Sequence, residues 1–504
     1  MKKLLALFLA CVMVCLSFAA CGEKPVTDMT TAETTAATEV KDPNAPDLPS
    51  PEEIGDISGD FNVLVVGNYA WNDFKSEGEE GTAVDSAVYR RNMYLKEKYD
   101  VNVIQEEKFG FMIVNGGGEG YLRLSNDHMA GNYTYDAASI GTWDVATLAY
   151  SGVIHDLADL GYVDLTKPYW DQKANEDLMI NGKMYYTTGD IGVVDNMSTN
   201  AVLFNKGMLE SYGLENPYDL VKSGDWTFEK FAEMVRAVGE DTNQDGIYDE
   251  NDVYGLMTWN DATLAVLAAA GEKICSIDDK GEIELTFYNE RTVNLLDAFS
   301  NLYFDYAHTF NYQYDTQGGA SRPSAAWDTN RTKMFDAGQA LFYFTTLITV
   351  PRHRDSETDF GILPYPKFDK AQASYGHVIS DYASQFVCVP EMSKDLRRTG
   401  IILEELAYQG REVLTPAYYD QTLVGQYTRD EESAEMLDII FSTRVYDVGM
   451  YYKIGNYRDS LIALSKTRSS LATIYDASVK IAEGKIEAIN SFFSTLIEDA
   501  PAES

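Results

Sequence analysis

The sequence contains few cysteines for its length, five among 504 residues. Three of them fall in or beside an apolar run at the N-terminus, which leaves Cys275 and Cys388 for the folded part. A disulfide framework is not expected, although one bridge between these two cysteines stays open. Because Cys388 lies in the apolar run 386–389 (FVCV), two unpaired buried thiols are the simpler interpretation.

Basic residues are also scarce: 40 Lys and Arg stand against 79 Asp and Glu, and the formal net charge is −39. Nucleic-acid phosphates are bound by clustered Lys and Arg side chains. We therefore expect no nucleic-acid partner. The acidity otherwise indicates only a solvated exterior, which is compatible with work at a cell surface.

Motifs of catalysis are missing as well. The sequence has no HExxH, no GxSxG, no Walker loop and no paired CxxC, and the run 115–120 (NGGGEG) does not complete a dinucleotide fingerprint. The five histidines are scattered, and among 79 acidic residues any glycosidase pair is uninformative. We expect a protein that is not an enzyme and has no catalytic residues.

Residues 1–20 have the pattern of a signal peptide, with two lysines, an apolar stretch and small residues before Cys21. A cysteine directly after such a cleavage site predicts lipidation at Cys21, although Phe18 replaces the leucine usual at that position. A plain signal peptide or a bare membrane helix is the alternative, since a helix over 4–20 would span about 25 Å. The expected location is the extracellular face of the cell membrane, with contact through the lipid anchor only.

The segment 21–57 follows as the lipidated cysteine and a linker. From residue 22 onwards it consists mainly of Thr, Ala, Glu, Asp and Pro, with almost no large apolar side chain. Such a composition cannot bury enough surface to fold, so we expect a disordered tether between the membrane and the folded part.

Beyond the linker, strand and helix patterns alternate, which predicts an α/β fold. The run 61–66 (FNVLVV) is typical of a strand buried on both faces, and a helix over 83–99 leads to another strand at 101–104 (VNVI). Further strands are predicted at 135–140, 201–204 and 340–344, and a further helix over 226–238. The length exceeds that of a single core, so two α/β lobes are expected. No later apolar run could span a membrane.

Seven segments carry a resemblance by their order and spacing: AVYRRNMYLKEKYDVNV (87–103), GVIHDLADLGYVDLTKPYWD (152–171), NAVLFNKGMLESYGLENPYD (200–219), DWTFEKFAEM (225–234), FDAGQALFYF (335–344), DFGILPYPKFD (359–369) and TPAYYDQTLVGQYTRDEESAEMLDII (415–440). Together they resemble the extracellular solute-binding proteins of ABC importers, in the carbohydrate-type branch with a maltose-binding-like architecture. The resemblance covers nearly everything after the linker.

The resemblance implies a periplasmic-binding-protein-like fold, in which two discontinuous α/β lobes are joined by hinge crossings and enclose a ligand cleft. The implied lobes are 58–195 plus 380–415 for lobe 1 and 196–379 plus 416–504 for lobe 2, with crossings near 194–199, near 375–384 and within 414–445. It further implies a monomer that captures a carbohydrate, expected to be an oligosaccharide, by hinge closure and delivers it to the permease subunits of an ABC transporter.

A carbohydrate site needs aromatic rings for the C–H faces of the sugar and planar polar groups for its hydroxyls. The candidate ligand-binding residues are Tyr69, Trp71, Trp143, Asp144, Trp259, Asn260, Trp327, Asp328, Asp381 and Tyr382. Most follow predicted strands, and for Trp143 with Asp144 the resemblance adds that the family commonly places an aromatic and a polar residue there. For any one tryptophan, buried packing is the alternative. Trp170 and Trp226 are assigned to packing.

The segment 241–252 (DTNQDGIYDEND) fits a calcium-loop pattern, with a glycine at the sixth place for the turn. The expected ligands of this possible structural calcium ion are Asp241, Asn243, Asp245, Ile247, Asp249 and Asp252. Asp252 is shorter than the glutamate usual at the twelfth place, and an acidic turn without metal is the alternative.

Other functions stay open at this point. A binding protein of the same architecture could take a peptide or a polyamine, for which an acidic chain would provide a carboxylate-lined cleft. A secreted glycoside hydrolase or lyase with two carboxylates is an enzyme-class alternative. A surface adhesin would bind no small ligand and would not close.

Overall fold

The computed structural model describes residues 42–69, 71–109, 117–313, 331–419 and 430–498. The described chain from Asn44 onwards belongs to one compact unit. The expectation of a disordered linker over 21–57 is therefore wrong for 44–57, where a short capped helix forms and Ile54 and Ile57 are buried in the core. The predicted signal peptide, Cys21, Trp327 and Asp328 lie outside the described residues. Within them, no helix combines the length and the apolar character that crossing a membrane requires.

The described strands, in chain order, are β1 (Gly59–Gly67), β2 (Val101–Phe109), β3 (Ala137–Gly141), β4 (Asn200–Asn205), β5 (Gly239–Glu240), β6 (Val253–Thr258), β7 (Cys275–Ile277), β8 (Ile283–Leu285), β9 (Thr309–Asn311), β10 (Ala340–Thr346), β11 (Phe360–Leu363), β12 (His377–Val378), β13 (Gln385–Cys388) and β14 (Arg444–Val445).

The described α-helices are α1 (Pro51–Ile54), α2 (Ala83–Tyr99), α3 (Glu119–Ala130), α4 (Thr142–Ala149), α5 (Gln172–Leu178), α6 (Val194–Ser198), α7 (Lys206–Ser211), α8 (Pro217–Ser223), α9 (Phe228–Arg236), α10 (Ala262–Ala269), α11 (Glu290–Tyr303), α12 (Leu396–Gln409), α13 (Glu431–Ser442), α14 (Val448–Tyr451), α15 (Tyr457–Ile462) and α16 (Leu471–Glu498). Short 3-10 helices span Leu157–Leu160, Leu347–His353, Ile454–Asn456 and Ala463–Ser465, and Gly410–Leu414 is a π-helical turn.

The first sheet has the order β13-β3-β1-β2. Strands β2 and β3 run parallel to β1, and β13 runs antiparallel to β3. The predicted strand at 61–66 and helix over 83–99 are confirmed by β1 and α2. Helix α2 begins where a capping box forms, in which Thr82 and Asp85 exchange side-chain to backbone hydrogen bonds.

The second sheet has the order β11-β4-β10-β6-β5, with β9 beside β6. Strand β10 is parallel to β6 and antiparallel to β4. All residues of β4 and β10 are buried, as their continuous apolar runs predict. Helix α9 covers this sheet through Phe231, whose ring centroid lies 5.0 Å from that of Phe342 and 5.1 Å from that of Phe344.

Two tryptophans that the sequence assigns to packing are fully buried. Trp226 donates its indole N–H to the carbonyl oxygen of Pro364 at 2.8 Å, and Trp170 donates to Glu404 Oε2 at 3.0 Å. Cys275 and Cys388 are also buried, and both are free thiols, so the bridge between them is excluded. The mixed α/β architecture confirms the predicted fold class.

The segments that connect the two sheets lie side by side. The Ser380 N–H donates to the Ser198 carbonyl oxygen at 2.9 Å, and Asn200 Nδ2 donates to the Val378 carbonyl oxygen at 2.9 Å. Strand β12 in the second connection pairs in parallel with β14, which follows α13. Adjacent connections of this kind are what a hinge between two lobes requires.

The C-terminal helices contact residues assigned to both lobes. The ring of Phe492 lies 5.1 Å from that of Tyr150, and Asn490 exchanges hydrogen bonds with the backbone of Ile283 at 2.9 and 3.0 Å. Helix α15 packs on α10. The lobe boundaries drawn from the sequence therefore stay a prediction, because residues 446–498 join neither lobe alone.

Arg444 fastens these connections by charge. It donates to Asp195 Oδ2 at 3.0 Å and to Asn196 Oδ1 at 2.8 Å on α6, and it forms an ion pair with Asp171 at the start of α5, with 2.8 Å between NH2 and Oδ2. Both carboxylates are buried. Burial raises the pKa of Asp195 to about 7, against the opposing effect of Arg444.

Replacing Arg444 with Met should leave Asp171 and Asp195 buried without their cation. We expect the free energy of unfolding to fall by about 3–5 kcal/mol, measured by urea denaturation at neutral pH. The control is Lys222→Met, which breaks an exposed ion pair with Glu435 and should change stability little. Equal effects of the two substitutions would contradict this account of the hinge.

Stability should also rise on mild acidification. Burial raises the pKa of several carboxyl groups, most strongly to about 6 for Asp73, Asp190 and Asp447 and to about 7 for Asp195 and Glu404. Each group holds a proton more tightly in the folded than in the unfolded chain, so the free energy of unfolding falls as the pH rises from about 4 to about 7.

We therefore expect a higher melting temperature at about pH 5.5 than at about pH 8. The measurement belongs in 1 M NaCl, where a Debye length of about 3 Å screens repulsion between surface acids. A melting temperature independent of pH in that salt would show that the buried carboxyl groups do not titrate as described.

Candidate functional site

A cavity of about 560 Å³ opens between elements of the two sheets. Tyr69 and Trp143 line it from the first sheet, and Trp259 and Thr346 from the second. The second connection and the C-terminal helices add Ser380, Tyr382, Ala383, Arg458 and Ile462, and the remaining described lining residues are Asn260, Asp261, Gln313, Arg331 and Ile348. The size falls within the range of cavities that hold small molecules.

The ends of four strands explain why these side chains meet. Tyr69 follows the end of β1 and Trp143 that of β3, whereas Trp259 follows β6 and Thr346 ends β10. Within each sheet the two strands are parallel to each other, so their carboxyl ends share one edge. Ligands of open α/β sheets bind at this edge. Here the two edges face a common cavity.

Tyr69 forms one aromatic wall, supported from behind by Trp71. The two rings stack with centroids 5.3 Å apart, and the Tyr382 ring meets Tyr69 edge-on at 6.3 Å. Trp71 donates its indole N–H to the Ala383 carbonyl oxygen at 3.4 Å and does not line the cavity. It therefore fixes the position of Tyr69 instead of offering a ring to a ligand.

Trp143 lines the cavity, but cations already cover its ring. The guanidinium carbon of Arg458 lies 4.9 Å from the ring centroid, and Lys453 Nζ lies 5.1 Å from it. The indole N–H donates to Asp381 Oδ2 at 3.0 Å, and only 5% of the residue is exposed. Little of the ring is open for stacking, which the sequence could not indicate.

Asp144 has a structural task. Its carboxylate accepts the backbone N–H groups of Gly118, Gly120 and Tyr121, at 2.7, 3.1 and 3.3 Å, where helix α3 begins. Burial raises its pKa while these hydrogen bonds oppose the shift. The side chain satisfies the free N–H groups of the helix start and does not line the cavity.

Trp259 and Asn260 line the opposite wall. The Trp259 ring packs on Tyr312 with centroids 6.0 Å apart, and its Nε1 has no hydrogen-bond partner among the described residues. The Asn260 N–H donates to Gln313 Oε1 at 3.3 Å, and Gln313 also lines the cavity. This wall therefore combines one ring with planar amide groups.

Asp381 lies behind the cavity wall and holds Arg458 in it. Arg458 Nε donates to Asp381 Oδ2 at 2.6 Å, and its NH2 group donates to Oδ1 at 3.2 Å. Such a bidentate pair fixes the orientation of the guanidinium plane. Sequence reasoning missed Arg458 because it lies in a short C-terminal helix with no recognisable motif. It also missed Asp261, although Asp261 directly follows Asn260.

The predicted ligand-binding residues thus divide into three groups. The cavity is lined by Tyr69, Trp143, Trp259, Asn260 and Tyr382. Behind its wall or turned to other tasks are Trp71, Asp144 and Asp381. Trp327 and Asp328 lie outside the described residues.

The predicted calcium loop is held by its own hydrogen bonds. Asp252 is fully buried, and its two carboxylate oxygens accept the N–H groups of Thr242 at 2.9 Å and Asp249 at 2.8 Å. The other predicted ligands, Asp241, Asn243, Asp245, Ile247 and Asp249, lie in the same loop. In the described part of the chain, no group of three or more His, Cys, Asp or Glu side chains is placed to hold a metal. Calcium binding stays a prediction.

No family model and no curated protein matches the chain. Solved structures do. A substrate-binding protein of an ABC transporter from Listeria monocytogenes, in complex with cycloalternan, aligns with a TM-score of 0.53 and 14% identity over 87% of this chain and 99% of that one. A cyclo/maltodextrin-binding protein complexed with maltotetraose aligns with a TM-score of 0.55 and 13% identity over 84% and 97%.

The chain has the fold of ABC-importer solute-binding proteins. A further match is the galacto-N-biose-/lacto-N-biose I-binding protein of an ABC transporter from Bifidobacterium longum, in complex with lacto-N-biose, with a TM-score of 0.52 and 12% identity over 87% of this chain and 98% of that one. Because the sequence identities are low, the similarity of this chain to these solved structures concerns its architecture and does not assign a ligand.

The role given to Asp144 can be tested without a ligand. Asp144→Ala removes the acceptor of three backbone N–H groups at the start of α3, and we expect the free energy of unfolding to fall by about 1–3 kcal/mol in urea denaturation. The control is Asp159→Ala, at an exposed position, which should change stability little. An unchanged stability of Asp144→Ala would show that this carboxylate does not hold the helix.

Proposed function

We propose that the protein is a solute-binding protein that captures a neutral carbohydrate, an oligosaccharide, and delivers it to an ABC permease. One observation carries the proposal: the rings of Tyr69 and Trp259 and the amides of Asn260 and Gln313 line a single cavity between the two sheets. Flat rings match the C–H faces of a sugar, and amides match its hydroxyls. Solved proteins of this fold that hold cycloalternan, maltotetraose and lacto-N-biose support it.

The proposed mechanism is hinge closure. Tyr69 belongs to one wall and Trp259 to the other, so a ligand that touches both rings gains contacts only when the walls approach. A shift from mostly open to mostly closed needs about 5.5 kcal/mol of differential affinity. The adjacent connections at 198–200 and 377–380 would take up the change in backbone angles. The permease would then bind the closed form.

The charges in the described wall favour a sugar over a polyamine or a peptide. A polyamine would require several unpaired carboxylates, but Asp381 is paired with Arg458, and Asp261 lies 3.6 Å from the same guanidinium. A hydrolase would require two carboxyl groups facing the bond to be cleaved. Among the described lining residues, Asp261 supplies one carboxyl group.

Anchoring and location belong to the same proposal and rest on the sequence. Lipidation of Cys21 would hold the protein at the extracellular face of the cell membrane, and residues 22–43, which precede the compact unit, would let the binding part reach the permease. In this arrangement the protein acts as a monomer, with no nucleic-acid partner. The proposal also includes a structural calcium ion in the loop 241–252.

Thermal unfolding with a panel of ligands tests the proposal. The panel comprises maltotriose, the β-1,4-linked trisaccharides of glucose, mannose, galactose and xylose, spermidine and trialanine. We expect at least one trisaccharide to raise the melting temperature, since a ligand at 100 times its dissociation constant adds about 2.7 kcal/mol. Chromatography should recover the sugar intact. Stabilisation by spermidine or trialanine alone, or release of shorter sugars, would contradict it.

Tyr69→Ala should weaken the binding of the stabilising trisaccharide roughly tenfold, because it removes a ring that faces the ligand. The matched control is Tyr133→Ala, at an exposed tyrosine that does not line the cavity. Isothermal titration calorimetry measures both. Equal affinities of the two variants would remove Tyr69 from the site.

A further inference from the structure

The carboxylate of Asp261 accepts no hydrogen bond from the described residues. Asp261 occupies the position before helix α10, yet its side chain makes no capping hydrogen bond. The side chain is 31% exposed and lines the cavity. Its nearest charged partner is the NH2 group of Arg458 at 3.6 Å, which is too far for a hydrogen bond. The carboxylate is therefore held near a cation without being saturated by it.

Arg458 presents unused donors beside it. A guanidinium has five N–H groups. In Arg458 the Nε and NH2 groups each donate to Asp381, and NH1 donates to Asp459 Oδ1 at 2.7 Å. One N–H group on each terminal nitrogen has no acceptor among the described residues. Asp381 accepts two hydrogen bonds from the guanidinium on the side away from the cavity. This bidentate contact fixes the plane of the guanidinium and therefore the orientation of its remaining N–H groups.

We propose that Asp261 and Arg458 form a specificity pair that binds hydroxyl groups on two neighbouring ring carbons of the sugar. The inference rests on the proposed function. A hydroxyl both donates and accepts, whereas the carboxylate only accepts and the guanidinium only donates. Two neighbouring hydroxyls satisfy both groups at once, and their spacing matches two groups held side by side on one wall.

The rigidity of the two supports makes the pair selective. Asp261 stands at the start of α10, Arg458 lies on α15, and these two helices pack against each other. Because both side chains are fixed in this way, they cannot move to reach a hydroxyl that points to the other side of the sugar ring. A sugar with one inverted hydroxyl would leave a polar group of the pair without a hydrogen-bond partner. The free-energy cost of that unpaired group is what lets a polar site discriminate strongly against such a sugar.

The charges around Arg458 indicate which sugars this pair suits. Arg458 is surrounded by the carboxylates of Asp381, Asp459 and Asp261. Its positive charge is therefore compensated within the wall, and a uronate or a sulfated sugar would gain nothing from it. The pair is suited to a neutral sugar that carries a vicinal diol.

The test compares affinities of the five trisaccharides of the panel above by isothermal titration calorimetry. Among them, the β-1,4-linked glucose and mannose trisaccharides differ at one hydroxyl of each ring. For the wild type, we expect the dissociation constants of the strongest and the weakest trisaccharide to differ by at least tenfold. We call this ratio the separation. Asp261→Ala should weaken the strongest binding by about 10- to 100-fold and reduce that separation to within about threefold.

Two further variants distinguish recognition of the sugar hydroxyls from support of the cavity wall. Arg458→Lys keeps the positive charge beside Asp381 but loses the planar guanidinium with its paired N–H donors. It should reduce the separation between the strongest and the weakest trisaccharide as Asp261→Ala does. Asp279→Ala, at an exposed aspartate that does not line the cavity, is the matched control and should leave affinities and their order unchanged.

The outcomes separate the two proposals. If the wild type binds a trisaccharide and Asp261→Ala keeps both the affinity and the separation, the pair is overturned while the proposed function stands. If Asp261→Ala weakens the binding of every trisaccharide by the same factor, the pair is also overturned, because Asp261 would then support the fold and not recognise particular hydroxyls. If the wild type binds no trisaccharide, the proposed function and the pair fall together.

Discussion

The ion pair between Arg458 and Asp381 is the interaction on which the binding cavity depends. It joins a C-terminal helix to the segment that connects the two sheets, and the same carboxylate accepts the indole N–H of Trp143. Asp381 is buried, so loss of the cation would leave an uncompensated charge at a cost of about 3–5 kcal/mol. Three distant parts of the chain are thereby held in one arrangement around the cavity.

A second arginine does the same at the hinge. Arg444 joins β14 to α6 and to the start of α5, so ion pairs add to the backbone hydrogen bonds that hold the connections between the sheets. The two arginines differ in where they lie. Arg444 does not line the cavity, whereas Arg458 does, which is why we assign recognition to Arg458 alone.

The sequence predicted the framework of the fold well. Strands β1, β4 and β10 are continuous apolar runs, and such runs are recognisable without knowledge of their partners. Tyr69 and Trp259 were found because a residue just after a parallel strand lies at the edge where ligands bind. Trp71 and Asp144 were assigned by the same rule, but a shift of one or two positions turns a side chain away from the cavity.

The amino-acid sequence by itself determined the α/β class, the two sheets and the aromatic residues available at the strand ends, because these depend on local periodicity. The tertiary structure decided which rings remain open to a ligand and which groups accompany them. Arg458 lies 77 residues from Asp381, and Trp143 lies 238 residues from it. No local pattern encodes such pairs, since only folding brings their charges within hydrogen-bond distance.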